Sequence, residues 1–183
     1  MSLLLPRHLS IFKCLVVEIA RRAGLFFLES DQMTEIREKI KEMLQPVLEA
    51  VGAFAVDIAV RNESGGKLVQ VFADTDRGIT IAECAQISRE LGRELDRTNV
   101  VQTSYRLEVS SPGIDKPIRL LRQYHKNVGR RFKVTLRGAV PPIELIGTLR
   151  GVKGEQVEFL TDAGETVLID FSKILESKVE LPW

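Results

Sequence analysis

The chain reads as an α+β protein in two parts: a three-stranded sheet with two helices, then a small all-β barrel. Three observations carry that reading. From Thr34 to Val109 the apolar residues switch between a 3.6-residue and a two-residue repeat. From Arg131 onward only two-residue repeats remain, in short runs divided by glycine-containing turns. Between the two parts, Ser110-Ser111-Pro112-Gly113 ends a strand abruptly. Proline fixes φ and lacks an N–H, and glycine supplies a positive φ.

The first helix is predicted over Thr34 to about Val51, where Ile36, Ile40, Met43, Leu44, Val47, Leu48 and Val51 share one face. Gly52 stands where a helix-ending glycine belongs, and Pro46 inside the pattern predicts a kink or restart. Phe54, Val56, Ile58 and Val60 alternate as a half-buried strand. Asn62-Glu63-Ser64-Gly65-Gly66 is the hairpin loop, and Leu68 to Ala73 is the return strand. A second helix starts at Thr80, where Thr80 and Glu83 form a capping box. Cys84, Ile87, Leu91 and Leu95 are its buried stripe, with Arg89, Arg93 and Arg97 outside. In the strand Tyr105–Val109 that follows, Tyr105, Leu107 and Val109 point one way.

After a short helical connector around Arg119 to Lys126, strands are predicted at Arg131–Leu136, Leu145–Arg150, Val157–Leu160 and Thr166–Asp170, with Val179-Glu180-Leu181 last. Five short strands must close or pack to hide their edges. Gly147-Thr148-Leu149, a turn and Val157-Glu158-Phe159-Leu160 look like an Sm-like (SH3-type) barrel, with Gly147 allowing a sharp bend. Residues 33–116 and 117–183 are the two expected domains, jointed near Lys116.

Residues 1–32 read as an extension outside the functional fold, with Met33 a possible initiator. A docking amphipathic helix and an organellar transit peptide are the alternatives. Lys13, Glu18, Arg21 and Arg22 interrupt its apolar stretch, so neither a membrane span nor the core of a signal peptide is predicted. Cys14 and Cys84 form no C-x-x-C, which points to neither a disulfide framework nor a zinc site and fits a reducing cytoplasm.

The net charge of +1 hides a partition. Residues 31–114 carry ten basic and fourteen acidic side chains, whereas residues 115–183 carry twelve and nine. From Asp115 to Arg137 there are eight cations (Lys116, Arg119, Arg122, Lys126, Arg130, Arg131, Lys133 and Arg137) against the single acid Asp115. Such a run is a solvated connector or a surface for an anionic partner, and RNA is the favoured partner. Tyr124 and Phe132 are placed to stack on bases, but core packing is their expected role.

Tyr105 to Ile118, YRLEVSSPGIDKPI, closely resembles the signature of the bacterial ribosome maturation factor RimP family. Asp74-Thr75-Asp76-Arg77-Gly78-Ile79 before the helix containing Cys84, and Gly129-Arg130 at the entry to the last domain, extend the likeness from about Met33 to the C-terminus. The resemblance implies an N-terminal domain of the kind compared with KH-like RNA-binding domains. It also implies a non-enzymatic factor for maturation of the small (30S) ribosomal subunit that binds the immature subunit and is absent from translating ribosomes. Ribosomal protein S12 would meet the barrel, and 16S rRNA would face the basic joint. On that reading the eight cations contact RNA, Ser110, Ser111, Pro112, Gly113 and Asp115 set the angle between domains, and the protein is a cytoplasmic monomer without cofactor or metal. The rivals are an Sm-like single-stranded RNA-binding protein and a protein–protein adaptor without RNA contact.

Other motifs carry less. A calcium loop starting at Asp74 needs glycine at its sixth position and glutamate at its twelfth, which hold Ile79 and Ala85. Gly151-Val152-Lys153-Gly154 spells the GXXG of a KH loop but falls between barrel strands, where a hairpin turn is expected. Ser110, Ser111, Glu108, Asp115 and His125 form no recognised catalytic motif, and the other histidine is His8.

Overall fold

The computed structural model describes residues 31–138 and 141–181. The expectations for residues 1–30, with His8 and Cys14, lie outside the described residues.

Helix α1 covers residues 31–50 and ends on Gly52, whose φ of +67° lets the Ala53 N–H turn back to the Leu48 carbonyl. It runs unbroken through Pro46 rather than restarting there. Ile40, Leu44 and Leu48 flank the proline and are buried, so packing offsets the one backbone hydrogen bond that it cannot donate. Strand β1 (Phe54–Glu63) and strand β2 (Gly66–Asp74) form an antiparallel hairpin around Ser64-Gly65, a tighter turn than the five-residue loop expected. Helix α2 (Ile81–Thr98) begins with the capping box of Thr80 and Glu83 and carries β2 across to the parallel strand β3 (Tyr105–Ser110). The order is β1-β2-β3. Ile58, Val69 and Val71 meet Ile40, Leu44, Leu48, Ile87, Leu91 and Leu95 in one core. Gly66 is required at the start of the central strand, because a Cβ there would strike the Ser104 backbone carbonyl.

The connector forms a 3₁₀ turn over Leu121–Asn127. The Gln123 carboxamide oxygen accepts from the N–H groups of Arg119 and Leu120 at 3.0 and 3.1 Å, which closes the start of that turn. Strands β4 (Arg131–Leu136), β5 (Ile143–Lys153), β6 (Gln156–Thr161), β7 (Thr166–Asp170) and β8 (Ile174–Val179) then make one antiparallel sheet in the order β7-β6-β5-β4-β8. Strand β5 pairs with β4 along its first half and with β6 along its second, with a bulge between Leu149 and Gly151. A Cβ at Gly147 would lie 2.7 Å from the Leu160 carbonyl, so glycine there admits the neighbouring backbone.

Three further expectations need correction. The sheet is not closed into a barrel: β7 and β8 are joined by the turn Phe171–Lys173 and do not pair with each other. The connector covers the core instead, with Tyr124 packed on Phe132, Phe159 and Phe171. The last strand is Ile174–Val179, not 179–181. A bulge opposite Thr135 and Leu136 leaves Ile174 and Ser177 both buried three residues apart, which hides the strand from a two-residue count. Gly113, expected to supply a positive φ, is not among the residues that adopt one. Asp74 to Gly78 forms no calcium loop, in keeping with its sequence: it is the end of β2 and the entry to α2, with the Asp74 carboxylate accepting from the Thr75 N–H at 2.9 Å.

Candidate nucleic-acid interface

The connector's cations point to several places. Lys126 reaches back to Asp74 with its Nζ 2.5 and 2.6 Å from the two carboxylate oxygens, and Asp74 is wholly buried at the end of β2. Gln123 Nε2 adds a longer donor to the same carboxylate at 3.4 Å. Arg122 grips Asp76 with two hydrogen bonds and lies 4.4 Å above the Phe54 ring. That contact holds the Asp76 carboxyl below its usual range and pushes the Arg122 guanidinium up. Arg119 stands 3.8 Å from Asp57. These three pairs tie the basic connector to carboxylates of the N-terminal sheet and the turn that follows β2.

Two further cations are paired within the C-terminal sheet. Arg131 bridges Asp162 and Glu180, and Lys133 meets Glu144 at 2.9 Å. Arg137 donates to the Ile174 carbonyl at 3.2 Å. Lys116 and Arg130 are exposed and have no ion-pair partner among the described residues. The eight predicted cations therefore do not form one patch.

What the fold does assemble is a cleft of about 350 Å³ at the joint. Lys116, Lys126 and Arg130 line it together with Arg77, which stands between β2 and α2 and outside the basic run. Of the four lining cations, Lys126 pairs with the lining carboxylate Asp74 and Arg77 with Glu83 at 3.0 Å, which leaves Lys116 and Arg130 without an ion-pair partner among the described residues. Ser111, Pro112 and Gly113 form part of its wall, so the turn expected to set the interdomain angle also shapes the cleft. Arg130 is placed by the backbone: Gly129 takes a φ of +85° and donates to the Leu149 carbonyl, while the Leu149 N–H donates to Arg130. Arg77 was legible only in space, because it lies 39 residues before Lys116 in the chain. Tyr124 and Phe132 have no exposed surface and are core residues.

A cleft that gathers cations from turns and a connector suits an anionic group. Residues 43–115 match the family model for the RimP N-terminal domain. That stretch is a RimP N-terminal domain. That match spans β1 to β3, both helix-to-strand turns and the Ser110–Asp115 segment, so the RimP domain contributes Arg77, Asp74 and one wall of the cleft. Among the described residues no helix is long and apolar enough to cross a membrane.

Proposed function

We propose that this chain is a non-enzymatic assembly factor of the RimP family that binds the immature small ribosomal subunit. The observation that carries the reading is the cationic cleft at the edge of a RimP N-terminal domain. Residues 33–116 and 117–183 act as two domains, each with its own sheet and core. In this reading Arg77, Lys116 and Arg130 contact 16S rRNA, while the C-terminal sheet, an opened relative of the Sm-like barrel, meets ribosomal protein S12. The factor works by differential affinity: it binds the immature conformation more tightly, biases the equilibrium, and leaves when that conformation disappears. A cytoplasmic, monomeric protein fits that task.

A protein–protein adaptor is the second reading. It is favoured by one observation: five of the eight connector cations already have carboxylate partners in the chain. Sedimentation of the tagged protein with ribosomal fractions separates the two. The intact chain should travel with free small subunits and not with joined ribosomes. An Arg77→Ala/Lys116→Ala/Arg130→Ala variant should remain at the top of the gradient, and binding of the intact chain should fall steeply with salt. Equal sedimentation of both proteins at all salt concentrations would favour the adaptor, and failure of both to sediment would overturn the ribosomal reading.

A further inference from the structure

On the far side of the Pro112–Pro117 segment from the cleft, the open face of the N-terminal sheet carries an aromatic residue. The face is defined by register. Val69, Val71 and Ala73 of β2 point into the helix-covered core, so Leu68, Gln70 and Phe72 point the other way. Across the sheet Phe72 stands beside Asp57 on β1 and Ser110 on β3. Phe72 is only half-buried and lines a pocket of about 170 Å³ whose other walls include Asp57, Arg61, Lys116, Pro117 and Arg119. A lining that combines an aromatic ring, three cations and one carboxylate is not the composition of a filled core. Arg61 and Lys116 lack ion-pair partners among the described residues, and Arg119 has only its 3.8 Å contact to Asp57.

We propose that this pocket takes one unpaired nucleobase of single-stranded RNA, stacked on Phe72, with its flanking phosphates on Arg61, Lys116 and Arg119. The chemistry matches on three counts. Aromatic faces exposed on a sheet stack splayed bases, and single-stranded rather than duplex RNA offers them. Cations at the rim neutralise the adjoining phosphates. Asp57 Oδ1 accepts from the Ile58 N–H at 2.9 Å, so Oδ2, 3.8 Å from Arg119, is the oxygen that accepts from the exocyclic amino group of an entering base, which favours bases carrying one. Lys116 gives continuity, because it lines both this pocket and the cleft at the joint. A strand lying in the cleft passes Lys116 and turns one base onto Phe72.

The inference rests on the RNA reading of the cleft, and the test separates the two. The full chain is titrated with a single-stranded RNA oligonucleotide carrying 2-aminopurine, and with the matching duplex. Phe72→Leu should weaken single-strand binding about tenfold and abolish quenching of the 2-aminopurine. It should leave the dependence of affinity on salt unchanged, because no phosphate contact is lost. Phe72→Trp, which keeps a stacking face, should restore both affinity and quenching, and Lys116→Ala should flatten the salt dependence. Urea midpoints of both Phe72 variants guard against a folding defect. If oligonucleotide binds with Arg130-dependent affinity but Phe72→Leu binds and quenches like the intact chain, the base pocket is wrong and the cleft reading stands. If no oligonucleotide binds, both fall.

Discussion

Cations on α2 and on the connector are wired in two ways. Arg93 and Arg97 find Glu90 and Glu94 three positions back in their own helix, and both arginine side chains remain 70% exposed. Arg122 and Lys126 find Asp76 and Asp74, which are 46 and 52 positions away. Local pairs decorate a face that would be solvated anyway. Distant pairs join two sheets that otherwise have separate cores, and so set the geometry of the cleft between them. The lesson is that a cationic run cannot be read as a binding surface until its intramolecular carboxylates have been subtracted.

The sharpest way to break that contrast is Lys126→Met. It keeps the aliphatic stem and removes the charge, leaving the Asp74 carboxylate buried with only the Thr75 N–H and Gln123 as donors. Removing one partner of a buried pair destabilises by about 3 kcal/mol. Urea denaturation should therefore show a clearly lower midpoint, and Asp74→Asn added to Lys126→Met should recover part of the loss. A wild-type midpoint for Lys126→Met would mean that the connector's cations are ornamental like those on α2.

Arg122→Ala should come next, with a smaller loss because both members of the Arg122–Asp76 pair are substantially exposed. Its pH dependence identifies the cause. The folded Asp76 carboxyl titrates below its usual range because of the hydrogen bond from Arg122. The pair therefore contributes above the unfolded carboxylate value of about 3.9 and is lost as pH falls through the lower folded value. The stability gap between intact and Arg122→Ala protein should be flat from neutral pH to about pH 5 and close below about pH 4. A gap that persists in acid would assign the effect to the Phe54 ring contact instead.

The same contrast explains what was legible in the chain. Both helices, the β1–β2 hairpin and β3 show in the sequence, because their apolar repeats are regular and Thr80, Glu83 and Gly52 mark helix ends. The C-terminal strands are legible until β8, where a bulge replaces the two-residue repeat with the three-residue spacing of Ile174 and Ser177. The open sheet was not legible, since whether β7 and β8 pair depends on how Tyr124 and Phe171 fill the space beside them. The eight cations were visible but their partners were not. Asp57, Asp74 and Asp76 belong to the acidic half of the chain, and only folding brings them against the connector. Arg77 was missed for the mirror reason: a lone cation among acids in sequence, it pairs with Glu83 and yet lines the same cleft as Lys116, Lys126 and Arg130.

The smallest effects belong to α2 itself and calibrate the rest. Arg93→Ala removes a pair three residues apart on an exposed helix face, where its contribution is small and screened by salt. Its urea midpoint should coincide with that of the intact chain. Arg97→Ala should be slightly worse, because Arg97 also lies in the last turn of α2, where the carbonyl end of the helix dipole favours a cation. Neither substitution should alter sedimentation with small subunits, since neither residue lines the cleft. If Arg97→Ala matched Arg122→Ala in stability, the distance between partners along the chain would cease to matter, and the two classes of arginine would be one.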